Sequence, residues 1–138
     1  MAEAPDPRGA ARLWLPASSA AADTVRQGLV ERGYTVTQTI AYRPQVLEQP
    51  PHVLAALREG GYAAVVLTSP MIAREIAARG PHPGTVLLSI GEPTTAALRE
   101  AGLPVHGQAA QPTDAALAAA VAAALAGPDP RGDVTAPP

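Results

Sequence analysis

Hydroxyl side chains gather where short apolar runs give way to helical patterns: Ser18 and Ser19, Thr68 and Ser69, Thr94 and Thr95, and Thr113. Ser and Thr are preferred N-cap residues and Pro is preferred just inside a helix, as in Ser69-Pro70, so capping by itself explains any one of them. Several at one sheet edge would do more. Backbone N–H groups and hydroxyls aimed at one point, with little fixed negative charge, form a crevice that prefers carboxylates or phosphates. The segment Ser89 to Gly107, SIGEPTTAALREAGLPVHG, is the clearest case: a short strand turning at Gly91 into a Pro-Thr-Thr helix start. Glu92 lies in the same turn, where the helix dipole favours a carboxylate that would also repel an acidic ligand.

Other chemistries have little support. No G-x-G-x-x-G follows a strand, and a Walker loop is excluded because all ten basic residues are Arg. His52, His82 and His106 have no metal-ligand spacing and read as scattered surface histidines; no metal and no cofactor is expected. G-x-S-x-G is missing and the sequence places no His or Asp as a triad partner of Ser69, so hydrolase chemistry has little support. Glu31, Glu48, Glu59, Glu75 and Glu100 read as solvated helix faces. A net charge of −2 argues against a nucleic-acid partner. The alanine-rich run from Ala115 to Ala126 is too short to span a membrane. With no cysteine and no secretion signal, the chain reads as a cytoplasmic protein.

The elements that must position these hydroxyls alternate regularly. Strands are predicted at Arg12 to Pro16, Tyr34 to Tyr42, Ala63 to Thr68, Thr85 to Ile90 and Leu103 to Gln108. Helices are predicted at Ser19 to Arg32, Pro51 to Glu59, Pro70 to Arg79, Pro93 to Ala101 and Pro112 to Ala126. Strands separated by helices cannot pair as hairpins, so the expected fold is α/β: a flavodoxin-like three-layer sandwich with a five-stranded parallel sheet and right-handed crossovers. Its ligand crevice would lie at the carboxyl ends of the strands. Residues 12–127 are expected to form the folded domain; residues 1–11 and 128–138, rich in Pro, Gly and Asp, are expected to be disordered tails.

Four segments, in order and at the right spacing, resemble the second sequence repeat of uroporphyrinogen-III synthases: TIAYRP, VVLTSP, IGEPTTAAL and GLPVHGQAAQPTDAALAAAV. The first is similar to the family's "VY" segment and the second to its "FTSPS" turn. The third aligns with "IGPTTAxAL" and the last with "GLPVxVxAxxPTxxxLxxAI". Met71, Pro93 and Glu92 depart from the pattern.

The resemblance implies cofactor-free cyclisation and dehydration of hydroxymethylbilane, a linear tetrapyrrole, to uroporphyrinogen III in tetrapyrrole biosynthesis. It also implies site residues: Ser69, Thr94, Thr95 and Ser19 would bind substrate carboxylates, and Tyr42 would act as a catalytic proton donor. A strand-end tyrosine is equally read as half-buried packing. The match covers half of the family's length, and in the family the cleft lies between two domains. The other wall would come from the rest of a longer chain, from a partner chain, or from a homodimer exchanging Arg12 to Tyr42, a segment that in the family's topology belongs to a different domain from the rest of the repeat. The alternative is a noncatalytic tetrapyrrole- or anion-binding module derived from the family.

Overall fold

A computed structural model of the chain describes residues 11–127. The expected tails, apart from Ala11, lie outside the described residues. In order the elements are β1 (Arg12–Ser18), α1 (Thr24–Glu31), β2 (Thr35–Tyr42), α2 (Pro51–Glu59), β3 (Ala64–Leu67), α3 (Pro70–Arg79), β4 (Val86–Ser89), α4 (Glu92–Glu100), β5 (Gly107–Gln108) and α5 (Asp114–Leu125). All strand pairing is parallel.

The single five-stranded sheet is not formed. Hydrogen bonds instead make a two-stranded sheet, β1-β2, and a three-stranded sheet, β3-β4-β5. The chain divides accordingly into two compact units with the boundary after Glu48. Periodicity identifies strands but carries no information on which edges meet, which is why five βα repeats read as one sheet. The segment Arg12 to Tyr42, set apart by the family resemblance, lies wholly in the first unit.

In the first unit β1 and β2 run in register from Arg12 against Thr35, with a bulge at Ala17/Ser18 that brings Ser18 opposite Tyr42. Both strands alternate in exposure, and α1 packs on β2. The helix is shorter than expected: it begins at Thr24, and Ser18 to Ala21 form a turn closed by Ala21 N–H to Ser18 O. Trp14 is 71% exposed and donates its indole N–H to Thr39 Oγ1 at 2.9 Å.

The second unit holds the core. Leu67, Ala73, Leu87, Ala97 and Leu98 form one buried cluster, with Val65, Ile76, Leu103 and Val105 against it. Ala73 and Ala97 let α3 and α4 approach each other and the sheet closely. Successive strand residues point to opposite faces, so the burial of both Leu87 and Leu88 means that β4 is covered on both sides. α5 packs across β3, β4 and β5, with Leu117 buried. α2 ends at Gly60, whose φ of +79° favours glycine and where a Cβ would crowd the His82 ring.

β5 is shorter than expected, two residues instead of the stretch from Leu103. Pro104 has no N–H to give a ladder, and the next acceptor is a side chain: Leu87 N–H donates to His106 Nδ1 at 2.9 Å, while His106 N–H donates to Leu87 O at 2.9 Å. His106 therefore stands in for a strand carbonyl. His82 also has a local role, its Nδ1 accepting from Gly84 N–H at 3.0 Å.

Candidate functional site

Because β3, β4 and β5 are parallel and each leads into a helix, the starts of α3, α4 and α5 fall at one edge of the second unit's sheet. Register fixes this: Leu67 pairs with Ser89, and Ser89 with Gln108. Ser69 is therefore two residues beyond the end of β3, and Thr94 and Thr95 are a turn beyond the end of β4. Three of the five predicted site residues, Ser69, Thr94 and Thr95, share this edge.

Each helix start is built differently. Ser69 caps α3, its Oγ accepting from Ile72 N–H at 3.2 Å, and Thr113 caps α5, its Oγ1 accepting from Ala116 N–H at 3.2 Å. The capping reading is thus correct for both, although each hydroxyl hydrogen is still available to donate. α4 has no side-chain cap: its N-cap is Gly91 in extended backbone, with Pro93 in the first turn. A Cβ at Gly91 would meet nothing nearer than Pro93 Cδ at 4.0 Å, so packing within the unit does not demand glycine there. The N–H groups of Thr94 and Thr95 both donate to Gly91 O, at 3.1 and 3.0 Å. Glu92 is turned along the helix toward Arg99, 3.6 Å away and exposed, a pair worth little in energy.

The two threonines differ. Thr94 is 2% exposed, and no hydrogen bond to its hydroxyl forms among the described residues; its N–H donates to Gly91 O at 3.1 Å. Thr95 is 1% exposed and its hydroxyl is engaged twice, 2.6 Å from Ser89 Oγ and 2.6 Å from Gln108 Oε1. Ser89 is fully buried. This Ser89–Thr95–Gln108 chain ties the end of β4 and the start of α4 to β5. Sequence reasoning missed Ser89 and Gln108; their signal was only that two polar residues end strands next to the hydroxyl-rich turn.

The other two predicted residues, Ser19 and Tyr42, meet in the first unit at the carboxyl ends of β1 and β2. Ser19 N–H donates to Tyr42 O at 3.0 Å. Ser19 is exposed and precedes α1 without capping it. Tyr42 is 63% exposed. At the N-cap of α1, hydrogen bonds from the Arg26 guanidinium, at 2.6 Å, hold the Asp23 carboxyl below the usual carboxylate range. An open groove lined by Arg12, Leu13, Trp14 and Thr37 lies toward the opposite end of β1 from Ser19 and Tyr42.

Among the described residues no cluster of three or more His, Asp or Glu is placed to hold a metal, and no described helix is long and apolar enough to cross a membrane. The second unit is thus a parallel α/β unit whose three helix starts lie along one strand edge.

The particular family emerges from comparison. Residues 2–119 match the family model for uroporphyrinogen-III synthase HemD, and the chain belongs to that family. Two solved structures share the fold. The uroporphyrinogen-III synthetase of Helicobacter pylori matches with a TM-score of 0.67 at 19% identity, over 83% of this chain and 53% of that one. The uroporphyrinogen III synthase of Thermus thermophilus matches with a TM-score of 0.51 at 21% identity, over 86% of this chain and 52% of that one. The chain thus spans about half the length of these structures. No curated protein matches it significantly.

Proposed function

We propose that this chain supplies one half of a uroporphyrinogen-III synthase. It would close hydroxymethylbilane to uroporphyrinogen III with loss of one water and inversion of ring D through a spiro intermediate, without a cofactor, in the cytoplasm. The observation that carries the reading is the common edge of three helix starts, two with hydroxyl caps and one without a side-chain cap. The substrate is reactive enough to close unaided to the type I isomer, so the protein must chiefly hold its ends in one geometry and stabilise the cationic path.

In this proposal Ser69 and Thr94 donate hydrogen bonds to substrate carboxylates, and Ser19 does so from the first unit. Thr95 acts from within, its hydroxyl fixing the first turn of α4. Tyr42, an exposed phenol, delivers the proton with which the substrate hydroxyl leaves as water. One wall cannot enclose a tetrapyrrole, so a second half completes the cleft. A second copy exchanging Arg12 to Tyr42 is one source, since swapping is a low-cost route to a dimer. A partner chain or further sequence in a longer protein is another. Light scattering at micromolar concentration separates a dimer of this chain from the other two.

The functional test is chromatography of the isomers formed from freshly made hydroxymethylbilane, by the wild type and by Tyr42→Phe. Type III above the spontaneous background, reduced in the variant, supports the reading; type I alone, in every assembly, refutes it. The burial of Thr94 and the departures at Met71, Glu92 and Pro93 favour one second reading, a noncatalytic tetrapyrrole-binding module, which would bind the product and yield only type I.

A further inference from the structure

The hydrogen-bond chain through Thr95 orients a residue that neither the motif nor the capping pattern singles out. Thr95 has one hydroxyl proton. Its contact with Gln108 is 2.6 Å, short for N–H···O and ordinary for O–H···O, so the Gln108 atom facing Thr95 is the carbonyl oxygen. Thr95 then donates to Gln108 Oε1, and Ser89 must donate to Thr95 across their own 2.6 Å contact. The polarity runs outward, from a fully buried serine through a 1% exposed threonine to an exposed glutamine. The backbone holds the acceptor in place, because Gln108 pairs with Ser89 in the ladder and Ala109 N–H donates to Ser89 O at 2.9 Å.

With Oε1 turned inward, the amide nitrogen of Gln108 is turned away from the chain of hydroxyls, and no described residue accepts from it. We infer that Gln108 is a further substrate-contacting residue, its NH2 held at the carboxyl edge of β5 as a fixed donor to a substrate carboxylate, with Ser89 and Thr95 as its positioning residues. The side chain lies over the first turn of α4, the helix start that has no cap of its own. A neutral amide donates without bringing a counter-charge, and ordering it in advance removes the rotamer entropy that an unrestrained glutamine would lose on binding. The inference rests on the carboxylate-binding reading above and names one more contact of that site.

The test uses the full chain and uroporphyrin III, the oxidised octacarboxylate form of the proposed product, with binding followed by porphyrin fluorescence. The Gln108 side-chain NH2 pair, assigned in ¹⁵N spectra by its loss in Gln108→Glu, should shift on titration. Gln108→Glu keeps an oxygen for Thr95 but turns a carboxylate outward, and affinity should fall about tenfold or more with the melting temperature unchanged. Gln108→Met removes the donor without adding charge and should weaken binding less. Wild-type binding with a static Gln108 amide and undiminished affinity in Gln108→Glu overturns this inference alone. A wild type that binds no uroporphyrin III overturns the carboxylate reading and this inference with it.

Discussion

Replacing Thr95 by valine removes one hydroxyl while keeping the shape of the side chain, and the structure sets what that should cost. Two hydrogen bonds of 2.6 Å are lost, and Ser89 Oγ, fully buried, is left without its partner. Losing the bond to the exposed Gln108 costs about 1 kcal/mol and orphaning the buried Ser89 hydroxyl about 1 to 3 kcal/mol, so the expected loss is about 2 to 4 kcal/mol. The orphaned serine is the larger part. Ser89→Ala in the Thr95→Val background should therefore recover about 1 kcal/mol or more, a non-additivity that a double-mutant cycle measures. Far-UV circular dichroism in urea is a suitable assay, because α2 to α5 all lie in the second unit, whereas the only tryptophan, Trp14, reports the first. For a unit of this size the single variant should melt at least about 8 °C lower. A Thr95→Val change below about 0.5 kcal/mol, or strict additivity with Ser89→Ala, would refute the network as described.

Gly107 lies against the core: an added Cβ would sit 2.8 Å from Leu88 Cδ2, so Gly107→Ala should destabilise the second unit by about 1 to 3 kcal/mol, and Leu88→Val in the same chain should relieve part of it in urea titrations. His106→Ala should cost about 1 to 3 kcal/mol by orphaning Leu87 N–H, whereas His106→Asn, whose Oδ1 can take the place of Nδ1, should keep most of the stability. Because the Asp23 carboxyl is held below its ordinary range, its contribution to stability is present above the unfolded carboxylate pKa and is lost as pH falls through the folded one. A ¹³C titration of Asp23 should show that low midpoint, and Arg26→Met should raise it.

Much of the fold was legible because local chemistry dictated it. Ser69-Pro70 opens α3, and the β-branched TVTQTI forms β2. The split into two sheets was not legible from periodicity, because an apolar strand such as AVVL does not record which edge it pairs with. β5 shrank because Pro104 has no donor and the His106 ring supplies the acceptor. For the site, residue types drew attention to Ser69, Thr94 and Thr95, which share one edge, but not to which hydroxyl was engaged. Thr94 and Thr95 are adjacent and chemically identical, and only the approach of Ser89 and Gln108, from 6 and 13 residues away, separates them. Gln108 itself was invisible as a lone polar residue at the end of a strand.

The central claim is that the common edge of the second unit's sheet receives carboxylates, and amide mapping tests it most directly. Titration of the ¹⁵N-labelled chain with uroporphyrin III should move the backbone amides of Ile72, Glu92, Thr94 and Ala116 together, with one dissociation constant. Shifts confined to the groove at Arg12, Leu13, Trp14 and Thr37, or scattered without saturation, would contradict it.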